Sequence, residues 1–147
     1  MILKSGGIWF SSILLFLGSL NLKAENVEVE ITGIRSPEGQ IVLTIYTDER
    51  SYQDERPIRT KFIEKTGMKD GTLTVHLELE EGIYGLTLID DENLNGEIDF
   101  KFIRVTKEGF GFSNFYLTKL KKPSFDDFKI EVKEGQKQKV EMKVKYM

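Results

Sequence analysis

The chain has 147 residues, with 21 basic and 24 acidic side chains and no cysteine. A net acidic chain lacks the basic face that displaces counterions from phosphates, which argues against a nucleic-acid partner. Without cysteine there is no disulfide and no thiol chemistry, so a hydrophobic core must hold the fold, with or without a metal ion.

Residues 1–24 predict a secretory signal peptide. Lys4 precedes a short apolar run, Ile8 to Leu20, and this run is followed by a polar stretch that ends at Ala24. The run is shorter than the roughly 20 residues of a membrane-spanning helix, which favours cleavage over an uncleaved anchor. No cysteine follows the run, so a lipoprotein anchor is excluded. We expect an exported protein, secreted or periplasmic, whose residues 25–147 form one domain with no stable membrane anchor.

Alternating apolar and polar residues predict β-strands along the mature part. Val27 to Ile31 and Ile41 to Ile45 are two such runs, and the proline and glycine between them predict a hairpin. Asp48 to Arg56 is charged and lacks periodicity, which predicts a solvated loop. Further strands are predicted at 58–63, 73–79, 84–88, 128–132 and 140–146. About seven short strands without a convincing helix predict an all-β antiparallel sandwich.

The single histidine, His76, alternates with Leu73, Val75 and Leu77 and is therefore predicted to point away from the core. A general base needs a nucleophile or carboxylate arranged beside it, and nothing in the pattern supplies one. We predict no catalytic residue.

A ligand-rich segment follows the strand at 84–88. Oxygen-bearing residues recur at every second position, and Gly96 stands where a calcium loop must turn tightly. This spacing predicts a Ca2+ site of the weak, extracellular kind, with a dissociation constant on the order of 0.1 to 1 mM. The predicted metal ligands are Asp91, Asn93, Asn95, the carbonyl oxygen of Glu97, and Asp99.

The same residues allow a second interpretation. An EF-hand requires a bidentate glutamate at the twelfth position, which here is Phe102, and an entering helix where this chain predicts a strand. The missing carboxylate would have to come from Asp90, Glu92 or another loop. Asn95–Gly96 is also a strong two-residue turn pair, so an acidic turn without metal remains the alternative.

Glycine and phenylalanine alternate from Gly109 to Phe112. Glycine widens the accessible backbone conformations, and the rings cover apolar surface. One interpretation is a structural plug at one end of the sandwich. The other is a ligand cleft beside the acidic loop. The predicted walls of that cleft are Phe110, Phe112, Phe115 and Tyr116.

The acidic motif, the segment Glu108 to Asn114 and the segment Pro123 to Asp126 resemble those of exported bacterial proteins grouped as domain of unknown function 2141. The resemblance covers essentially the whole mature chain. It implies an immunoglobulin-like or transthyretin-like β-sandwich after a signal peptide, and it supplies no activity. Asp90 stands where the family usually has His, so a role that depends on that histidine is not carried over. Arg104 and Thr106 replace a usual Gly and Pro.

These observations favour a non-enzymatic exported module that binds a glycan, a lipid or a protein, or that serves envelope or surface structure, with the acidic loop stabilised by calcium. One alternative is a hydrolase in which Asp91 and either Asp126 or Asp127 act as acid and base. Another is a transthyretin-like carrier of a small apolar ligand.

Overall fold

The computed structural model describes residues 25–96, 108–119 and 121–147, and the predicted signal peptide lies outside these ranges. Within them the chain forms eight strands, two short α-helices and one 3-10 turn. The strands are β1 (Val27–Thr32), β2 (Gln40–Tyr46), β3 (Arg59–Glu64), β4 (Leu73–Leu77), β5 (Gly82–Asp91), β6 (Gly109–Phe112), β7 (Lys129–Val132) and β8 (Gln138–Lys143). The helices are α1 (Glu49–Gln53) and α2 (Phe125–Phe128), and the 3-10 turn is Lys65–Gly67.

Two sheets make up the fold. One has the strand order β4-β1-β8, and the other has the order β3-β2-β5-β6, with β7 also pairing with β5. The predicted all-β sandwich is confirmed, with eight described strands where about seven were predicted. Most strand pairs are antiparallel, as predicted, and one pair departs from this arrangement, because β1 and β8 pair in parallel.

The prediction that the first two strands form a hairpin was wrong. β1 pairs with β4 and β8, whereas β2 lies in the other sheet between β3 and β5. The turn residues reverse the chain, but they do not specify the partner of either strand. Gly39 in this turn has φ 79°, and a Cβ there would overlap the backbone of Asp91 and Glu92, so the turn packs directly on the end of β5.

The main core lies between the two sheets. It consists of the apolar residues that alternate along each strand, such as Ile31 of β1, Leu43 of β2, Leu88 of β5 and Met142 of β8, all fully buried. Period-2 alternation therefore predicted the core-facing residues correctly.

A second, aromatic cluster covers the outer face of the larger sheet. The segment 48–56, predicted as a solvated loop, contains the helix α1, which buries Tyr52 and is capped by the Asp48 side chain accepting the Ser51 N–H at 2.6 Å. A helix of little more than one turn shows no 3.6-residue pattern, which is why the sequence does not reveal it. The cluster comprises Tyr46, Tyr52, Phe112, Phe125 and Phe128.

Gly85 of β5 makes room for these rings, since a Cβ there would lie 2.6 Å from both Phe125 and Phe128. In the described part of the chain, no helix is long and apolar enough to cross a membrane.

Candidate functional site

The end of β5 carries two consecutive aspartates into the acidic loop. In the pairing of β5 with β2, Asp90 lies opposite Ile41 and Asp91 lies opposite Gln40. Because side chains alternate along a strand, Asp90 lies on the core-facing side and Asp91 on the opposite side. Both side chains are nevertheless buried, at 0% and 1% exposed. Each carboxylate must therefore be compensated by nearby groups.

Asp90 is compensated by Lys65, which begins the 3-10 turn after β3. Lys65 Nζ lies 2.5 Å from Asp90 Oδ1. The same nitrogen donates to the carbonyl oxygens of Ser36 at 2.9 Å and Glu38 at 2.6 Å. A buried ammonium is tolerated only when an opposite charge and acceptors surround it, and this one has both.

Tyr146 holds the other oxygen of Asp90. Its hydroxyl donates to Oδ2 at 2.6 Å and accepts the backbone N–H of Arg35 at 3.1 Å. Burial raises the pKa of Tyr146, and the bond to Asp90 raises it further. Lys145 positions this residue, because its backbone N–H and C=O both bond to Phe110 of β6 and so connect the two sheets at this corner.

Arg35 closes the outer side of this cluster. Its guanidinium carbon lies 4.3 Å from the centre of the Tyr146 ring, and its nitrogens donate to Glu92 at 2.7 and 3.2 Å. The hydrogen bond from Arg35 lowers the pKa of Glu92. Half-buried Glu108 has a raised pKa, first because of its burial and then because of the carboxylates of Asp91, Asp90 and Glu92.

Asp91 organises the loop itself. Its oxygens accept the backbone N–H groups of Asn95 at 3.1 Å and Gly96 at 2.9 Å, and also the side-chain amide of Gln40 at 2.9 Å. Asn93 Oδ1 accepts the Asn95 N–H as well. Leu94 and Gly96 have φ values of 57° and 64°, so the backbone curls around the carboxylate. Three of the five predicted metal ligands thus belong to one ordered turn.

The other two predicted ligands, Glu97 and Asp99, lie outside the described residues. Within residues 25–96, 108–119 and 121–147, no group of three or more histidine, aspartate or glutamate side chains is placed to hold a metal ion.

The model of the family DUF2141, described as an uncharacterized protein conserved in bacteria, matches residues 29–141. This chain belongs to that family. The resemblance predicted from the acidic motif and the Gly-Phe segment is confirmed. No curated protein and no solved structure was found to match the chain.

The aromatic residues predicted to wall a ligand cleft are divided in this DUF2141 chain. Phe112 is buried in the aromatic cluster, 5.1 Å from the Phe128 ring centre. Phe110 and Phe115 are partly buried against that cluster. Tyr116 is exposed, with Lys143 and Lys145 nitrogens 5.0 and 5.4 Å from its ring centre. Phe115 and Tyr116 line one surface pocket together, whereas the buried ring of Phe112 belongs to the aromatic cluster.

The carboxylates considered for a hydrolase are also separated. Asp126 and Asp127 belong to α2, whose Phe125 and Phe128 pack over Gly85, six positions before Asp91 on β5. At about 3.3 Å per strand residue this spacing is roughly 20 Å. Asp127 accepts the Ser124 N–H, and Asp126 pairs with Lys129. His76 is exposed on β4, opposite Glu28 of β1.

Three residues of the site and its support were missed by sequence reasoning. Lys65 and Tyr146 reach Asp90 from distant parts of the chain, so no local spacing marks them. Ser113 accepts the Leu86 N–H at 3.0 Å and donates to the Phe128 carbonyl at 2.5 Å, which joins β6 and β7 where they meet along β5. The signal for Ser113 was its position in the segment Glu108 to Asn114, which carries part of the family resemblance.

Proposed function

We propose that this DUF2141 chain is an exported, non-enzymatic β-sandwich module, and that it binds its partner, a glycan, a lipid or a protein, through the loop at the end of β5. We further propose that calcium stabilises this loop. The observation that carries the proposal is Leu94, which is 63% exposed and held at φ 57°. A bulky residue rarely adopts this conformation, and such exceptions cluster at ligand-contacting sites.

The surrounding contacts support this interpretation. The charged side chains beside the loop already have partners. Asp91 accepts a backbone N–H group, and Lys65 pairs with Asp90 and donates to a backbone carbonyl, so these contacts fix the shape of the loop. What the loop presents to solvent is Asn93, Leu94 and Asn95. An apolar side chain between two amides offers both contact area and hydrogen-bonding groups to a partner.

Calcium is consistent with the geometry around Asp91. Each carboxylate oxygen has about two lone-pair sites, and Asp91 Oδ1 accepts one N–H group, so this oxygen has capacity left for a cation. Gly96 is the sixth residue counted from Asp91 and has φ 64°, as the sharp turn of a calcium loop requires of its glycine. The remaining predicted ligands are Glu97 and Asp99.

Export is tested by expressing the full chain in a bacterial host with an envelope and sequencing the amino terminus of the protein recovered outside the cytoplasm. We expect the product to begin at Glu25. Recovery of only the unprocessed chain in the cytoplasm would contradict the export proposal.

The calcium site is tested by thermal unfolding of the purified protein in millimolar calcium and in chelator. A ligand that binds only the folded state stabilises it by about 2.7 kcal/mol at a hundredfold excess over the dissociation constant. We expect calcium to raise the melting temperature of the wild type and of Glu134→Gln, an acidic control in an exposed turn, but not of Asp99→Asn. Equal melting temperatures in calcium and chelator would refute the metal proposal.

The binding role is tested by comparing Leu94→Ser with Phe62→Ser, since both are exposed apolar residues, Leu94 in the loop at 63% and Phe62 on β3 at 59%. On glycan arrays, lipid vesicles and envelope protein extracts, we expect Leu94→Ser to abolish a signal that Phe62→Ser retains. A signal unaffected by Leu94→Ser would place recognition elsewhere.

A further inference from the structure

The contact between Lys65 and Asp90 brings an amine and a carboxyl group together inside the protein. Nζ lies 2.5 Å from Oδ1, and the side chains are 1% and 0% exposed. Among the described residues Oδ1 has no hydrogen-bond partner of ordinary geometry, although the nitrogen is so close. The two groups are therefore closer than the roughly 2.7–2.9 Å of an ordinary charge-assisted N–H···O hydrogen bond.

Two backbone carbonyls orient the amine. Lys65 Nζ donates to the oxygens of Ser36 at 2.9 Å and Glu38 at 2.6 Å. An ammonium has three N–H groups, so the third is free to pass its proton to Asp90. The two remaining N–H groups stay bound to the carbonyls, and the lone pair that is released points towards the carboxyl group. Fixed orientation of this kind replaces much of the entropy cost of a reaction between two groups.

Tyr146 prepares the carboxyl group. Its hydroxyl donates to Asp90 Oδ2 at 2.6 Å, whereas Oδ1 faces the lysine. When an amine adds to a carboxyl carbon, negative charge develops on the oxygen that stays, and a preorganised donor to that oxygen lowers the barrier. The arrangement assigns Oδ2 as the retained oxygen and Oδ1 as the departing one.

We propose that Lys65 and Asp90 condense to an intramolecular isopeptide bond, a covalent link between the turn after β3 and the end of β5. The Nζ–Cγ bond forms and the Cγ–Oδ1 bond breaks. Two of the three ammonium protons leave with Oδ1 as water, and the third remains on the amide nitrogen. No atom changes its oxidation state, and no co-reactant is required.

The surroundings favour the amide over the separate groups. Condensation removes two charges from a site where charge is costly. Burial also keeps out the water that would hydrolyse the product. In a chain with no cysteine, this bond would supply the covalent constraint that other exported domains obtain from disulfides.

The test is mass spectrometry of the purified full-length protein after denaturation, followed by peptide mapping. We expect the wild type to be lighter than its sequence mass by one water molecule, and we expect the peptide that contains Lys65 to be joined to the peptide that contains Asp90. Lys65→Arg should have its full sequence mass, because a guanidinium keeps its proton and does not attack a carboxyl group. Tyr146→Phe should form the bond more slowly during a time course of refolding.

The matched control is the exposed pair of Lys129 and Asp126, whose atoms are 2.8 Å apart with side chains 48% and 79% exposed. Lys129→Arg should keep the loss of water seen in the wild type. A folded wild type at full sequence mass would overturn the proposal, and so would a loss of water that persists in Lys65→Arg, since that would come from dehydration elsewhere. If Lys65→Arg does not fold, peptide mapping of the wild type decides the question. Joined Lys65 and Asp90 peptides support the proposal, and separate peptides overturn it.

Discussion

The most specific prediction about stability concerns Ser113. It is fully buried, and its hydroxyl accepts the N–H of Leu86 and donates to the carbonyl of Phe128. Ser113→Ala removes both bonds without adding volume, so a backbone donor and a backbone acceptor are left without partners at the junction of β6 and β7. Each buried unsatisfied group costs about 1–3 kcal/mol, which gives a loss of about 2–6 kcal/mol for the pair.

The assay is urea unfolding followed by circular dichroism, with Ser36→Ala as the control. Ser36 Oγ accepts the N–H of Glu38 in an exposed turn, so its loss should cost well under about 1 kcal/mol. We expect the two variants to share one m-value, since both expose the same surface on unfolding. A Ser113→Ala variant as stable as Ser36→Ala would refute the reasoning that this hydroxyl joins the two strands.

Three further predictions concern the core and the acidic end. Gly85→Ala should cost about 1–3 kcal/mol by calorimetry, because its Cβ would meet both rings of α2, whereas an unchanged melting temperature would show that the rings can move. The Tyr52 hydroxyl is buried without a hydrogen-bond partner among the described residues, so Tyr52→Phe should keep or raise stability in urea, and a loss above about 1 kcal/mol would reveal a partner. The pKa of Glu108 is raised, so its contribution to stability is fully present below the usual pKa of 4.5 and is lost as the pH rises through the folded-state pKa. In chelator, Glu108→Gln should therefore flatten the decline of the unfolding free energy with rising pH. An unchanged pH profile of stability would contradict this prediction.

The strands were predictable because one physical signal specifies them. Along β1 and β4 every second side chain is buried, and this is the pattern that the alternating residues show. β2 is buried on both faces, and the alternation that predicted Ile41, Leu43 and Ile45 as core-facing residues did not predict the burial of its other face. The partner of each strand was not predictable in the same way, because a turn between β1 and β2 is compatible with either one sheet or two.

The candidate site was predictable only in its local part. The acidic loop is a property of neighbouring residues, and Asp91 does fold it through bonds to Asn95 and Gly96. Lys65 and Tyr146 meet Asp90 only after both sheets have formed. A lysine in a charged stretch and a tyrosine near the end of an alternating strand look like ordinary surface residues until the tertiary structure brings them together.

The parallel pairing of β1 with β8 determines when this protein can fold. The first described strand stays at an open sheet edge, and the core lacks Val140 and Met142 of β8, until that strand reaches it. Contacts between such distant segments form slowly, because a long loop must close before they contribute any stability. A ribosome or a translocation channel that still holds the end of the chain would therefore delay completion of the smaller sheet. This late closure would suit the export that we propose, in which the polypeptide crosses a membrane before it becomes compact.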